Sequence, residues 1–66
     1  MDKKEQKAIL EAVLFTMGEA IEVERLAAVL EISKKETKEL LLEMKADYDR
    51  EDRGITLMEL EDSFQM

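Results

Sequence analysis

The chain has 66 residues, with 17 Asp and Glu against 10 Lys and Arg, a formal net charge of −7, and neither Cys nor His. These values exclude a disulfide framework and a Cys/His zinc site, and the acidity opposes association with nucleic-acid phosphates. One domain of this length buries only about 60% of the surface its unfolded chain exposes, so it is expected to be marginally stable and to lean on a partner chain.

With 45% apolar and 41% charged residues the chain is expected to fold rather than stay disordered. Its N-terminus, Met1 to Lys7, is charged and has no apolar run long enough for a signal peptide or a membrane span. The expectation is a cytoplasmic protein with no membrane partner.

The spacing predicts a first helix from about Lys3 to Met17. Ile9, Ala12, Val13 and Thr16 form its central stripe, with Leu10, Leu14 and Met17 on one shoulder and Ala8 and Phe15 on the other. That arc is wider than one surface helix of a small domain needs. It is either covered by other helices and a sheet, or Leu10 and Leu14 continue into a subunit interface. Gly18 follows as a left-handed stop. Glu19 to Glu22 reads as a short extended piece with Ile21 pointing inward.

Val23, Leu26, Ala27 and Leu30 repeat at i, i+3, i+4 and i+7, which predicts a second helix over those residues, with Glu22 near its start as a weak cap. Ser33-Lys34-Lys35-Glu36 is then a capping box. In it the Ser33 hydroxyl accepts from the Glu36 amide, and the Glu36 carboxylate is expected to reach back to the Ser33 amide. A third helix follows from Lys34 to about Asp49, its stripe carrying Thr37, Leu41, Met44 and Tyr48 with Leu40 beside them. Leu42 lies outside this stripe. Two short amphipathic helices so close in sequence must cross steeply to share a core, which is a helix-turn-helix.

After a charge run that ends at Gly54, Ile55 to Glu61 alternates as a strand. Ile55, Leu57 and Glu59 face one way, and Thr56, Met58 and Leu60 the other. Asp62-Ser63 is a turn signal, and Phe64-Gln65-Met66 begins a return strand. The reading is an α+β fold, a winged helix-turn-helix of three helices followed by a β-hairpin wing. It forms one domain over residues 1–66, and the short return strand suggests a domain of a longer protein.

Enzymatic chemistry is poorly served. Without His and Cys, acid–base work would fall to carboxylates, Lys or Tyr. The helical carboxylates stand on polar faces beside Lys, and Tyr48 ends a core stripe. The glycines, Gly18 and Gly54, stand alone, so no loop could cradle a phosphate. No catalytic residue, cofactor or metal is expected. The alternative is a DNA-binding winged helix of a transcriptional regulator, with Lys34, Lys35 and Lys38 at the start of the third helix as weak contacts. From Lys34 to Arg53, however, acids outnumber bases, and the wing tip Glu61-Asp62-Ser63 is acidic.

A protein–protein role remains. Its candidate interface residues are Leu10, Leu14, Leu42, Met58, Leu60 and Phe64, and the open hairpin edge could also pair with another strand. Leu14→Asp is accordingly expected to weaken association without unfolding the chain.

The residues Ile9-Leu10-Glu11-Ala12-Val13-Leu14-Phe15, Gly18-Glu19, Leu26-Ala27, Leu30, Leu40-Leu41 and Arg53-Gly54-Ile55-Thr56-Leu57-Met58-Glu59 resemble the bacterial segregation and condensation protein B family. The likeness runs from about Ile9 to Met66 and covers that family's N-terminal winged helix. Ala20 stands where the family usually has Pro, and Glu61-Asp62-Ser63 replaces a usually Gly-rich wing turn. The resemblance implies a non-enzymatic subunit of the structural-maintenance-of-chromosomes (condensin-like) complex. It implies a homodimer, held largely through this domain, that binds the kleisin, segregation and condensation protein A, and through it the ATPase heads. The setting would be chromosome condensation and segregation at the nucleoid during the cell cycle and cell division.

Overall fold

A computed structural model describes residues 2–51, 54 and 56–66. In chain order the elements are α1 (Lys3–Met17), β1 (Ile21–Glu22), α2 (Val23–Leu30), α3 (Lys34–Arg50), β2 (Met58–Glu59) and β3 (Ser63–Gln65). Each boundary has a local cause. Asp2 caps α1 by accepting from the Glu5 amide at 2.9 Å. The cap residues Asp2-Lys3-Lys4-Glu5 repeat the polar-x-x-Glu pattern of Ser33 to Glu36. Gly18 ends α1 at φ 65°, its amide donating to the Leu14 carbonyl.

Glu22 makes no side-chain cap for α2. The Asp62 carbonyl stands in for it, accepting from the Val23 amide at 3.0 Å. Glu31 closes α2 in the left-handed region at φ 58°. At α3 the Ser33 hydroxyl accepts from the Glu36 amide at 3.1 Å. The reciprocal half of the capping box differs from expectation, because the Glu36 carboxylate accepts from the Ser33 hydroxyl at 3.1 Å rather than from the Ser33 amide. Thr37 is buried on the first turn, and its hydroxyl donates to the Ser33 carbonyl at 2.9 Å, so it carries no unmet polar group inward.

The sheet has three antiparallel strands in the order β1-β3-β2. Ile21 pairs with Phe64, and Glu59 pairs with Phe64 from the other side. The short piece before α2 is therefore a strand of the same sheet as the wing. The predicted strand Ile55–Glu61 is confined to Met58–Glu59 within the described residues, and Ile55 lies outside them. Leu57 is buried and Thr56, Met58 and Leu60 are exposed, but Glu59, expected on the same face as Leu57, is exposed as well.

One core joins the helices, β1 and β3, with Leu57 just before β2. Leu10 and Leu14 of α1, Val23, Leu26 and Leu30 of α2, and Leu40, Leu41, Met44 and Tyr48 of α3 pack with Ile21, Leu57 and Phe64. Ile9, Val13, Ile32 and Met66 close its margins.

Candidate protein interaction surface

The sequence candidates divide in two. Leu10 and Leu14 are 0% exposed and Phe64 is 1% exposed, so these three are core and cannot meet a second molecule. The reason for Leu10 and Leu14 is rotational. A helix that is apolar around most of its circumference has no direction fixed by its own pattern, and α1 turns the 10/14 line inward. Ala12 and Thr16, placed at the centre of the stripe by their spacing, face solvent instead. Phe64 belongs to the core because β3 is the middle strand, flanked on both edges.

Leu42, Met58 and Leu60 are exposed, at 41%, 54% and 39%. Met58 and Leu60 stand two residues apart, on one face at the outer edge of the sheet. Among the described residues β2 pairs only with β3, which leaves its other edge open.

The structure adds a feature that the spacing did not single out. Ala8, Glu11, Ala12 and Phe15 fall at i, i+3, i+4 and i+7 and form a continuous outer stripe on α1. With Tyr48, Gly54 and Met66 they line a groove of about 500 Å³. Phe15 is 67% exposed at its edge, a large apolar area left to solvent. The Tyr48 hydroxyl donates to the Glu11 carboxylate, which ties the end of α3 to the middle of α1. The sequence signal was present, since Ala8 and Phe15 share a shoulder of the over-wide arc.

Charges organise the two ends of the domain. Lys7 reaches Glu43 at 3.0 Å and Asp47 at 3.6 Å, and Lys3 reaches Glu43 at 3.1 Å, so α1 and α3 are bridged by a small network. The Lys7 hydrogen bond to Glu43 raises the Lys7 ammonium pKa and lowers that of the Glu43 carboxyl. Lys34 donates to Asp62 at 2.8 Å, linking the start of α3 to the wing turn. The same hydrogen bond raises the Lys34 pKa and lowers that of Asp62. A lysine at the start of a recognition helix is thus directed to the protein's own wing. Among the described residues no group of three His, Cys, Asp or Glu gathers as a metal site, and no helix is long and apolar enough to cross a membrane.

Three helices with a short antiparallel sheet in this order form a winged helix. A sequence model of the family described as segregation and condensation complex subunit ScpB matches residues 8–66. The chain belongs to this family. It is 44% identical over all of its 66 residues to segregation and condensation protein B of Lachnoclostridium phytofermentans, of which it covers 35%. It is 49% identical over 55 residues, 82% of the chain and 25% of the relative, to the protein of that name from Geobacillus kaustophilus. The chain therefore spans about a third or less of the length of these relatives. Among solved structures it is similar to a dimer of the ScpB N-terminal domain complexed with ScpA peptide. The TM-score is 0.86 with 44% identity, over 94% of this chain and 78% of that one.

Proposed function

We propose that this chain is a non-enzymatic module, the N-terminal winged helix of a longer protein, which pairs with a second copy and docks the kleisin ScpA. Through the kleisin it would serve the chromosome-maintenance ATPase in the bacterial cytoplasm, at the nucleoid. The observation that carries this reading is the close likeness, at 44% identity, to a solved ScpB N-terminal dimer bound to an ScpA peptide. The mechanism is non-covalent. Exposed apolar side chains would be withdrawn from water at about 25 cal/mol per Å² of area buried. Leu42 on α3, and Met58 and Leu60 on the wing, are the candidates for the contact between copies, because they are the exposed members of the apolar set and a two-fold contact buries the same residues on both copies. The edge of β2 left open among the described residues adds main-chain donors and acceptors beside Met58.

Sedimentation equilibrium of the chain over a concentration series tests the pairing. A reversible monomer–dimer equilibrium that Met58→Asp shifts toward monomer is the expected result. A single monomeric mass at every concentration overturns self-association through this domain.

A further inference from the structure

We propose that Lys34 and Asp62 form a charge-sensitive clasp, which fastens the wing turn to the helix-turn-helix and governs the capping of α2. Closed, it holds the two parts as one body. Opened by screening or by a competing charge, it frees the wing turn and the first turn of α2 together.

Three contacts meet at Asp62. The β1–β3 register pairs Ile21 with Phe64 and Glu22 with Ser63, so its next step sets Val23 opposite Asp62. The Val23 amide donates to the Asp62 carbonyl at 3.0 Å, and Val23 is already the first residue of α2. The ladder thus runs on into the helix, and one hydrogen bond both ends the sheet and caps α2. The Asp62 carboxylate meanwhile accepts from the Lys34 ammonium at 2.8 Å, and Lys34 is the first residue of α3. A single residue of the wing turn therefore joins the starts of two helices.

The end of a short ladder is where a sheet frays first, and β1 has only two residues. Fraying is costly at this end, because the first amides of a helix have no partner inside it and Glu22 supplies no side-chain cap. Val23 is 0% exposed, so water does not readily replace the Asp62 carbonyl. The turn closes without Asp62, through the Leu60 amide and the Ser63 carbonyl at 2.8 Å. The side-chain contact that fixes Asp62 against α3 comes from Lys34, 28 residues away in the chain. Both side chains are more than half exposed, at 51% and 60%, so their attraction is weak and responds to salt. A weak, exposed ion pair thereby controls a buried hydrogen bond, which is the property of a switch.

Neighbouring charges act on both members. Glu22 and Glu24 attract Lys34, and Lys38 attracts Asp62. Lys38 is thus a reserve cation for Asp62 when Lys34 is lost. Glu22 and Glu24 belong to β1 and α2, so neither can replace Asp62 in holding the wing.

Hydrogen exchange of the 66-residue chain tests the clasp, read at the Val23 amide with the Leu41 amide reporting global opening. Asp62→Asn keeps the carbonyl and removes the charge. It is expected to speed exchange at Val23 by about two- to fivefold, the range of an exposed ion pair, and to leave Leu41 unchanged. Lys34→Gln should do the same to a smaller degree, because Lys38 remains, and should add nothing in the Asp62→Asn background. At about 1 M salt the wild-type chain should exchange at Val23 as fast as Asp62→Asn does. Unchanged exchange at Val23 in Asp62→Asn would overturn the proposal. So would an equal rise at Val23 and Leu41, which would make the pair a contributor to global stability alone. An effect of Lys34→Gln that persists in full without the Asp62 carboxylate would overturn it as well.

Discussion

Gly18 and Glu31 occupy the same left-handed region, with φ 65° and 58°, yet only one of them is glycine. A side chain in that region crowds its own backbone, and this is why helices so often end on Gly. Gly18→Ala is therefore expected to destabilise the fold by about 1 kcal/mol, although no atom lies near enough to meet the added Cβ. Glu31→Gly should do the reverse, stabilising by about 0.5 kcal/mol, because the strain removed outweighs the extra freedom of the unfolded chain. Urea midpoints of the two variants, moving in opposite directions, check both. Gly18 was legible in the sequence because glycine advertises the conformation. Glu31 was not legible in this way, since nothing about a glutamate announces positive φ. The α2 cap was not legible at all, because the group that serves it, the Asp62 carbonyl, belongs to a turn about forty residues later.

At the scale of elements, the three helices and their order could be read from spacing and caps, and α1 and α2 span the residues predicted for them. What could not be read was the rotation of α1. A stripe of apolar residues states which face is buried only when the opposite face is polar, and α1 carries apolar residues on nearly every side. The decision falls to the bodies packed against it, and these turn Leu10 and Leu14 into the core shared with α2, α3 and the sheet. Leu14→Asp should consequently abolish helical circular dichroism, reversing the expectation that it would weaken association alone. Leu14→Ala should cost about 2–5 kcal/mol, as expected for a fully buried leucine. Leu42→Asp, on the exposed side of α3, should leave the melting temperature within a few degrees of wild type and act on association alone. The wing was half legible. Its alternation was visible, but the inclusion of β1 in the same sheet depends on a pairing between residues 21 and 64 that no local pattern encodes.

Over the whole molecule, charge sets the response to acid. Asp62 and Glu43 both have carboxyl pKa values lowered by lysines, Lys34 and Lys7 respectively. A lowered folded pKa means that the unfolded chain takes up protons first, so the stabilisation is present above the ordinary carboxylate pKa of about 4 and fades as pH falls through the folded values. The melting temperature should drop between about pH 5 and pH 3, and Asp62→Asn should flatten that slope, a small effect because both partners are exposed. The arrangement of the sheet bears on a different matter, the order in which a growing chain can fold. Among the described residues both edge strands pair only with β3, and β3 is residues 63–65, C-terminal to every other element of this fold. Leu10, Leu26 and Leu41 come from helices that precede β3 in the chain, whereas β1 and β2 have no pairing partner among the described residues until β3 is present. A chain truncated before Phe64 is accordingly expected to lose the sheet pairings of β1 and β2 together, which hydrogen exchange at Ile21 and Glu59 would check.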